Sequence, residues 1–81
     1  EFLILLPDTD LASAVQVAER IRLEIAQLHL GFLDSSALPH TTVSIGLSMH
    51  VPGEMYSATL DRADSALRNA KSAGRNRIEV S

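Results

Sequence analysis

The stretch Ala63-Asp64-Ser65-Ala66-Leu67-Arg68-Asn69-Ala70-Lys71-Ser72-Ala73-Gly74-Arg75-Asn76-Arg77-Ile78-Glu79-Val80 most constrains the fold, because it reads as a helix that stops at a glycine and runs into a short strand. Leu60, Ala63, Leu67 and Ala70 recur at helical spacing and predict one apolar stripe, whose alanines let the helix lie close to a sheet. Gly74 follows the last periodic residue, where a helix favours a residue that tolerates the left-handed conformation. Lys71 then falls on the last turn at the edge of the stripe, and Arg75 just past the stop. Packing requires neither cation.

The rest of the chain supplies what such a helix packs on. Phe2-Leu3-Ile4-Leu5-Leu6 is a continuous apolar run ended by Pro7, the pattern of a strand covered on both faces and so central in its sheet. A chain that opens on a central strand reads as the second part of a larger domain. Asp8-Thr9-Asp10 offers side-chain oxygens to cap a helix. Leu11, Ala14, Val15, Ala18, Ile21, Ile25 and Leu28 step by three and four over about five turns, with Glu19, Arg20 and Glu24 off that stripe. Arg20 and Glu24 are spaced for an i,i+4 ion pair.

Leu30 to Pro39 loses the period and reads as a loop or weak strand. Thr41 to Val51 alternates Val43, Ile45 and Leu47 with Thr42, Ser44 and Ser48, which predicts a second strand. Gly46 inside it suggests a bulge or a closely approaching neighbour. Pro52-Gly53 marks a turn, and the second helix is predicted from about Tyr56 to Ala73. The expected order is strand, helix, loop, strand, helix, strand.

Composition narrows the functional classes. Eighty-one residues make at most one small domain with a thin core. There is no cysteine, so neither disulfides nor thiolate metal sites are available. A formal net charge of -3 with scattered bases argues against binding a nucleic acid polymer. His29, His40 and His50 have no metal-ligand spacing. No apolar run reaches membrane-spanning length, and a soluble cytoplasmic domain is expected, within a parent that is free to be membrane-anchored.

Glu1-Phe2 leading into an apolar strand and Pro7, the Ala18-Glu19-Arg20-Ile21-Arg22 helix, Thr42-Val43-Ser44-Ile45-Gly46, and Ala63-Asp64 with Ala70-Lys71-Ser72-Ala73-Gly74-Arg75-Asn76 together resemble the second half of a GGDEF domain, the catalytic domain of bacterial diguanylate cyclases. By this likeness Glu1 and Phe2 end the signature motif, and its Gly-Gly-acidic part lies just upstream. The implied fold is α+β, a palm-type cyclase core with helices on a mainly antiparallel sheet, of which residues 1–81 are the C-terminal part. The implied activity is condensation of two GTP into cyclic di-GMP and pyrophosphate with magnesium or manganese. It requires a second GGDEF domain face to face, under an upstream sensory or regulatory domain. The 81 residues alone are not expected to be active.

The resemblance also implies roles for single residues. Lys71 and Arg75 match positions that contact the nucleotide phosphates, a task suited to a lysine and an arginine projecting together; helix-end charge compensation alone would also account for them. Glu1 matches the acid beside the principal catalytic, metal-binding acid, and either joins the metal cluster or holds Lys71 by charge. Asp64 either orients Lys71, two turns on, or pairs with Arg68. Arg20 matches a position that grips cyclic di-GMP at a product-inhibition site in some members, unless it is simply solvated. Arg68 departs from the family, standing where an aromatic is usual; its long stem is expected to cover the same apolar surface. The alternative to a cyclase is a degenerate GGDEF domain that binds GTP or a partner domain and regulates without catalysis.

Overall fold

The computed structural model describes residues 1–28 and 41–81. Its elements are α1 (Leu11–Ala26), β1 (Ile45–Leu47), α2 (Tyr56–Ser72) and β2 (Ile78–Val80), an α+β arrangement in which α2 is the crossover between two paired strands. The loop expected over residues 30–39, with His29 and His40 beside it, lies outside the described residues. Among the described residues, no helix is long and apolar enough to cross a membrane.

Asp10 starts α1: its backbone is extended and its Oδ1 accepts the Ser13 N–H at 2.7 Å, satisfying one of the free donors of the first turn. Hydrogen bonding to Ser13, its backbone N–H first, holds the Asp10 carboxyl below its ordinary value. The apolar stripe of α1 is only partly used. Ala14 and Ala18 are buried and Val15, Ile21 and Ile25 half-buried, whereas Leu11 is exposed, and Leu28 lies past the helix end, also exposed.

β1 and β2 pair in parallel with Ile45 opposite Ile78, Gly46 opposite Glu79 and Leu47 opposite Val80. A mainly antiparallel sheet leaves room for one such pair, and the α+β class stands. A helix between two strands returns the chain to the starting end, so the second strand runs the same way as the first. The expected strand over Thr41 to Val51 shrinks to three residues because β2 offers only three partners.

A larger correction concerns Phe2 to Leu6. No strand forms there, Phe2 is 100% exposed, and Leu3, Ile4 and Leu5 are also exposed. A strand needs a neighbour for its backbone N–H and C=O groups. The described sheet is β1 with β2 alone, and neither pairs with this run.

α2 packs on β1 and β2, and α1 touches both strands without packing on α2. α2 comes close to β1 at Gly46, where an added Cβ would lie 2.1 Å from the Ala63 carbonyl oxygen and 2.3 Å from the Leu67 nitrogen. Of the two readings of Gly46, the close neighbour is correct. The buried line of α2 is Ala66 and Ala70, with Ala63 and Leu67 half-buried and Leu60 exposed, so the stripe is rotated from the one expected. With backbones this near, the residues at the centre of the contact must be the small ones.

The β1–α2 connection is tied by a polar cluster absent from the sequence reading. Met55 at the N-cap gives α2 no side-chain cap. Instead the Glu54 carboxylate accepts the Val51 N–H at 2.8 Å, the Thr59 hydroxyl at 2.8 Å and the Arg62 guanidinium at 2.8 and 2.5 Å. Arg62 also donates to the Met49 carbonyl at 2.7 Å, and the Ser48 hydroxyl to the Thr59 carbonyl at 2.6 Å. Arg62 first, then the Val51 N–H and the Thr59 hydroxyl, hold the Glu54 carboxyl well below the usual carboxylate range.

Candidate functional site

α2 ends in a closed turn that displays Lys71 and Arg75. The Arg75 N–H donates to the Ala70 carbonyl at 2.9 Å and the Gly74 N–H to the Lys71 carbonyl at 3.4 Å, the two bonds of a Schellman stop. Gly74 takes φ +122°, as its place after the helix predicts. The next two residues do the same without being glycine: Arg75 has φ 64° and Asn76 φ 49°. Left-handed backbone at two such residues persists only where surrounding contacts enforce it.

Those contacts come from three sides. Arg77 donates through Nε to the Arg75 carbonyl at 3.2 Å, and its guanidinium lies across Gly74. The Asn76 N–H donates to the Ser44 hydroxyl at 3.2 Å, tying the turn to the residue before β1. The Asn76 Oδ1 accepts Arg22 Nη1 at 2.8 Å, tying it to α1. Arg22 is itself held by Glu19, through Nε to Oε2 at 2.9 Å and through Nη2 to Oε1. Mutual bonding lowers the Glu19 carboxyl from its ordinary value and raises the Arg22 guanidinium. Glu19, Arg22, Asn76 and Arg77 line an open depression together with Val15, Ile78 and Val80.

Lys71 and Arg75 are both exposed, and neither forms a side-chain ion pair with any described residue. Lys71 sits in the last turn of α2, where its charge complements the helix end. The pair therefore offers two cationic side chains from one turn, an arrangement able to take phosphate oxygens.

The other expected site residues are not gathered there. Asp64 pairs with Arg68 across one turn, and Arg68 also donates to the Ser65 hydroxyl at 3.1 Å. Of the two alternatives for Asp64 this structure shows the pair with Arg68, its neighbour four residues on, whereas Lys71, seven residues on, is separated by about 10 Å along the axis. Arg68 is consequently turned along the helix surface and exposed rather than buried in the manner of an aromatic. Arg20 pairs with Glu24 at 3.1 Å and is exposed. Glu1 is exposed, and no described ion pair joins it to Lys71. Among the described residues no three His, Asp or Glu side chains converge as a metal-ion site, so these residues do not by themselves fit magnesium or manganese.

Sequence reasoning placed Arg22 within a recognisable segment but gave it no task, and it left Asn76 as the last letter of a motif. Their contact joins residues 54 positions apart, which no local pattern reveals.

Comparison with known proteins identifies relatives along nearly the whole chain. The chain is 42% identical over 78 residues to Diguanylate cyclase DgcM of Escherichia coli (strain K12), covering 96% of this chain and 18% of that protein. It is 37% identical over 79 residues to Response regulator PleD of Caulobacter vibrioides, covering 96% of this chain and 17% of that protein. Diguanylate cyclase DgcP of Pseudomonas aeruginosa is 40% identical over 80 residues, 99% of this chain and 12% of that protein. The chain thus spans less than about a fifth of the length of these relatives. The family described as "Diguanylate cyclase, GGDEF domain" matches residues 1–77, and this chain belongs to that family.

Proposed function

We propose that this chain is part of a diguanylate cyclase domain that condenses two GTP into cyclic di-GMP with release of pyrophosphate, and that Lys71 and Arg75 hold the GTP phosphates. The observation that carries this reading is the pair of exposed cations without a described ion-pair partner, Lys71 in the last turn of α2 and Arg75 in the closed turn after it. Expelling pyrophosphate builds negative charge on the phosphates, and cations already in place stabilise it without reorganisation. In this reading Glu1 contributes a carboxylate to a cluster completed by other residues, a second GGDEF domain brings the second GTP, and an upstream domain regulates their meeting.

The test is binding of a non-hydrolysable GTP analogue to the complete protein, alongside formation of cyclic di-GMP from GTP, for the wild type and for Lys71→Ala and Arg75→Ala. Weaker binding and slower turnover in both variants is the expected result. Normal nucleotide binding with no product in the wild type would replace catalysis by the regulatory reading. Unchanged binding in both variants would remove the phosphate assignment.

A further inference from the structure

We propose that Arg22, braced by Glu19, acts through Asn76 as a positioning residue that holds the turn carrying Arg75 in its phosphate-binding form; the inference rests on the reading of Arg75 given above. Arg75 needs a left-handed backbone, and the helix stop alone does not secure it, since the residue after it must be left-handed as well. Asn76 is the residue the rest of the fold grips. Its N–H is taken by Ser44 beside β1 and its Oδ1 by Arg22 on α1, so two separate elements fix the backbone on the C-terminal side of Arg75.

The chemistry of Arg22 suits this task better than that of a phosphate ligand. Its Nε and Nη2 face Glu19 and its Nη1 faces Asn76, so three of its donor directions are used within the protein. The two bonds to Glu19 fix the plane of the guanidinium, and the third donor is thereby aimed at Asn76. Arg75 has no such side-chain partner among the described residues. The result is a division of labour between two arginines, one bonded inside the fold and one left to meet a ligand.

The experiment is a pair of double-mutant cycles on the affinity of the complete protein for a non-hydrolysable GTP analogue, read at a temperature well below every variant's melting point. Asn76→Gly keeps left-handed backbone accessible and removes the acceptor, and Arg22→Met keeps length and removes the donors. Each is expected to weaken binding about five- to twentyfold, the order expected for loss of one charge-assisted hydrogen bond acting through another group. In the first cycle, adding Asn76→Gly to Arg22→Met should weaken binding less than about twofold further, because both remove the same contact. In the second, adding Arg22→Met to Arg75→Ala should likewise cost little, because the clamp acts only through Arg75.

Wild-type affinity in Arg22→Met and Asn76→Gly, with Arg75→Ala impaired, would overturn the clamp and leave the phosphate reading standing. Fully multiplicative losses in the second cycle would also overturn it, since Arg22 would then act independently of Arg75. Wild-type affinity in Arg75→Ala would overturn the phosphate reading itself, and this inference with it.

Discussion

Gly46 faces Ala63 so closely that a Cβ on the glycine would lie 2.1 Å from the alanine carbonyl oxygen. The obstructing atoms are backbone, which cannot rotate away as a side-chain tip would. This contact sets how near α2 lies to β1, and therefore where the turn after α2 emerges. Gly46→Ala is expected to destabilise the complete protein by on the order of 3 kcal/mol, the upper end of ordinary overpacking, because relief requires the helix to move off the sheet. A thermal or denaturant melt checks it, and a variant as stable as the wild type would mean α2 is not held at this distance.

Gly74→Ala should cost about 1–2 kcal/mol, for a different reason. The backbone there has φ +122°, and the new methyl would lie 2.9 Å from Arg77 Nη2. The side chain of Arg77 can swing aside, so strain in the backbone is the larger part. Thermal melts measure the loss, and GTP-analogue affinity should fall with it if Arg75 is displaced.

Acid should weaken the β1–α2 connection. Glu54 lies below the ordinary glutamate value near 4.5 in the folded protein, so its contribution is present above the unfolded value and is lost as the pH falls toward the folded one. Glu54→Gln is expected to melt a few degrees lower at neutral pH, with the gap closing as the wild type is acidified below about pH 4. Melting curves across pH for the two proteins check this. High salt should narrow the gap at neutral pH, because Arg62 and Glu54 lie near the surface.

Lys71→Ala and Arg75→Ala should each weaken GTP-analogue binding by roughly ten- to a hundredfold, the loss of one charge-assisted contact to phosphate. Their melting temperatures should change little, since neither ammonium nor guanidinium has a described partner to lose. Arg75→Lys should remain impaired, because a point charge does not reproduce a two-pronged contact. Calorimetric titration with paired melts checks all three; falling melting temperatures at wild-type affinity would make both cations helix-end structure.

Arg20 tests regulation separately from turnover. If the complete protein binds cyclic di-GMP at a product-inhibition site, Arg20→Ala should weaken that binding about tenfold and relieve inhibition, with the initial rate close to wild type. The Arg20–Glu24 pair is exposed and holds the arginine only weakly in the free protein. Titration with the product and progress curves check it. Unchanged product affinity would leave Arg20 as a solvated member of α1.

The local elements were legible wherever short-range rules suffice. Asp10 as a cap and the end of α2 before Gly74 follow from single residues with strong conformational preferences, whereas Gly46 left a bulge and a close neighbour both open. The sequence offered Asp64 both Arg68 and Lys71, and the structure shows the i,i+4 pair with Arg68. Phe2 to Leu6 shows the opposite limit: an apolar run states a preference for cover, and only a neighbouring strand can turn that preference into a sheet.

By itself, then, the sequence determined the identities of the two helices, the start of α1 at Asp10, the end of α2 before Gly74 and the placing of Lys71 and Arg75 around that glycine, because capping, periodicity and left-handed tolerance act over a few residues. Tertiary structure alone decided that Phe2 to Leu6 finds no partner strand, that the buried line of α2 is Ala66 and Ala70, and that Arg22 reaches Asn76. Each of these depends on how closely two backbones far apart in the chain approach, and that distance is set by the packing of all their side chains together.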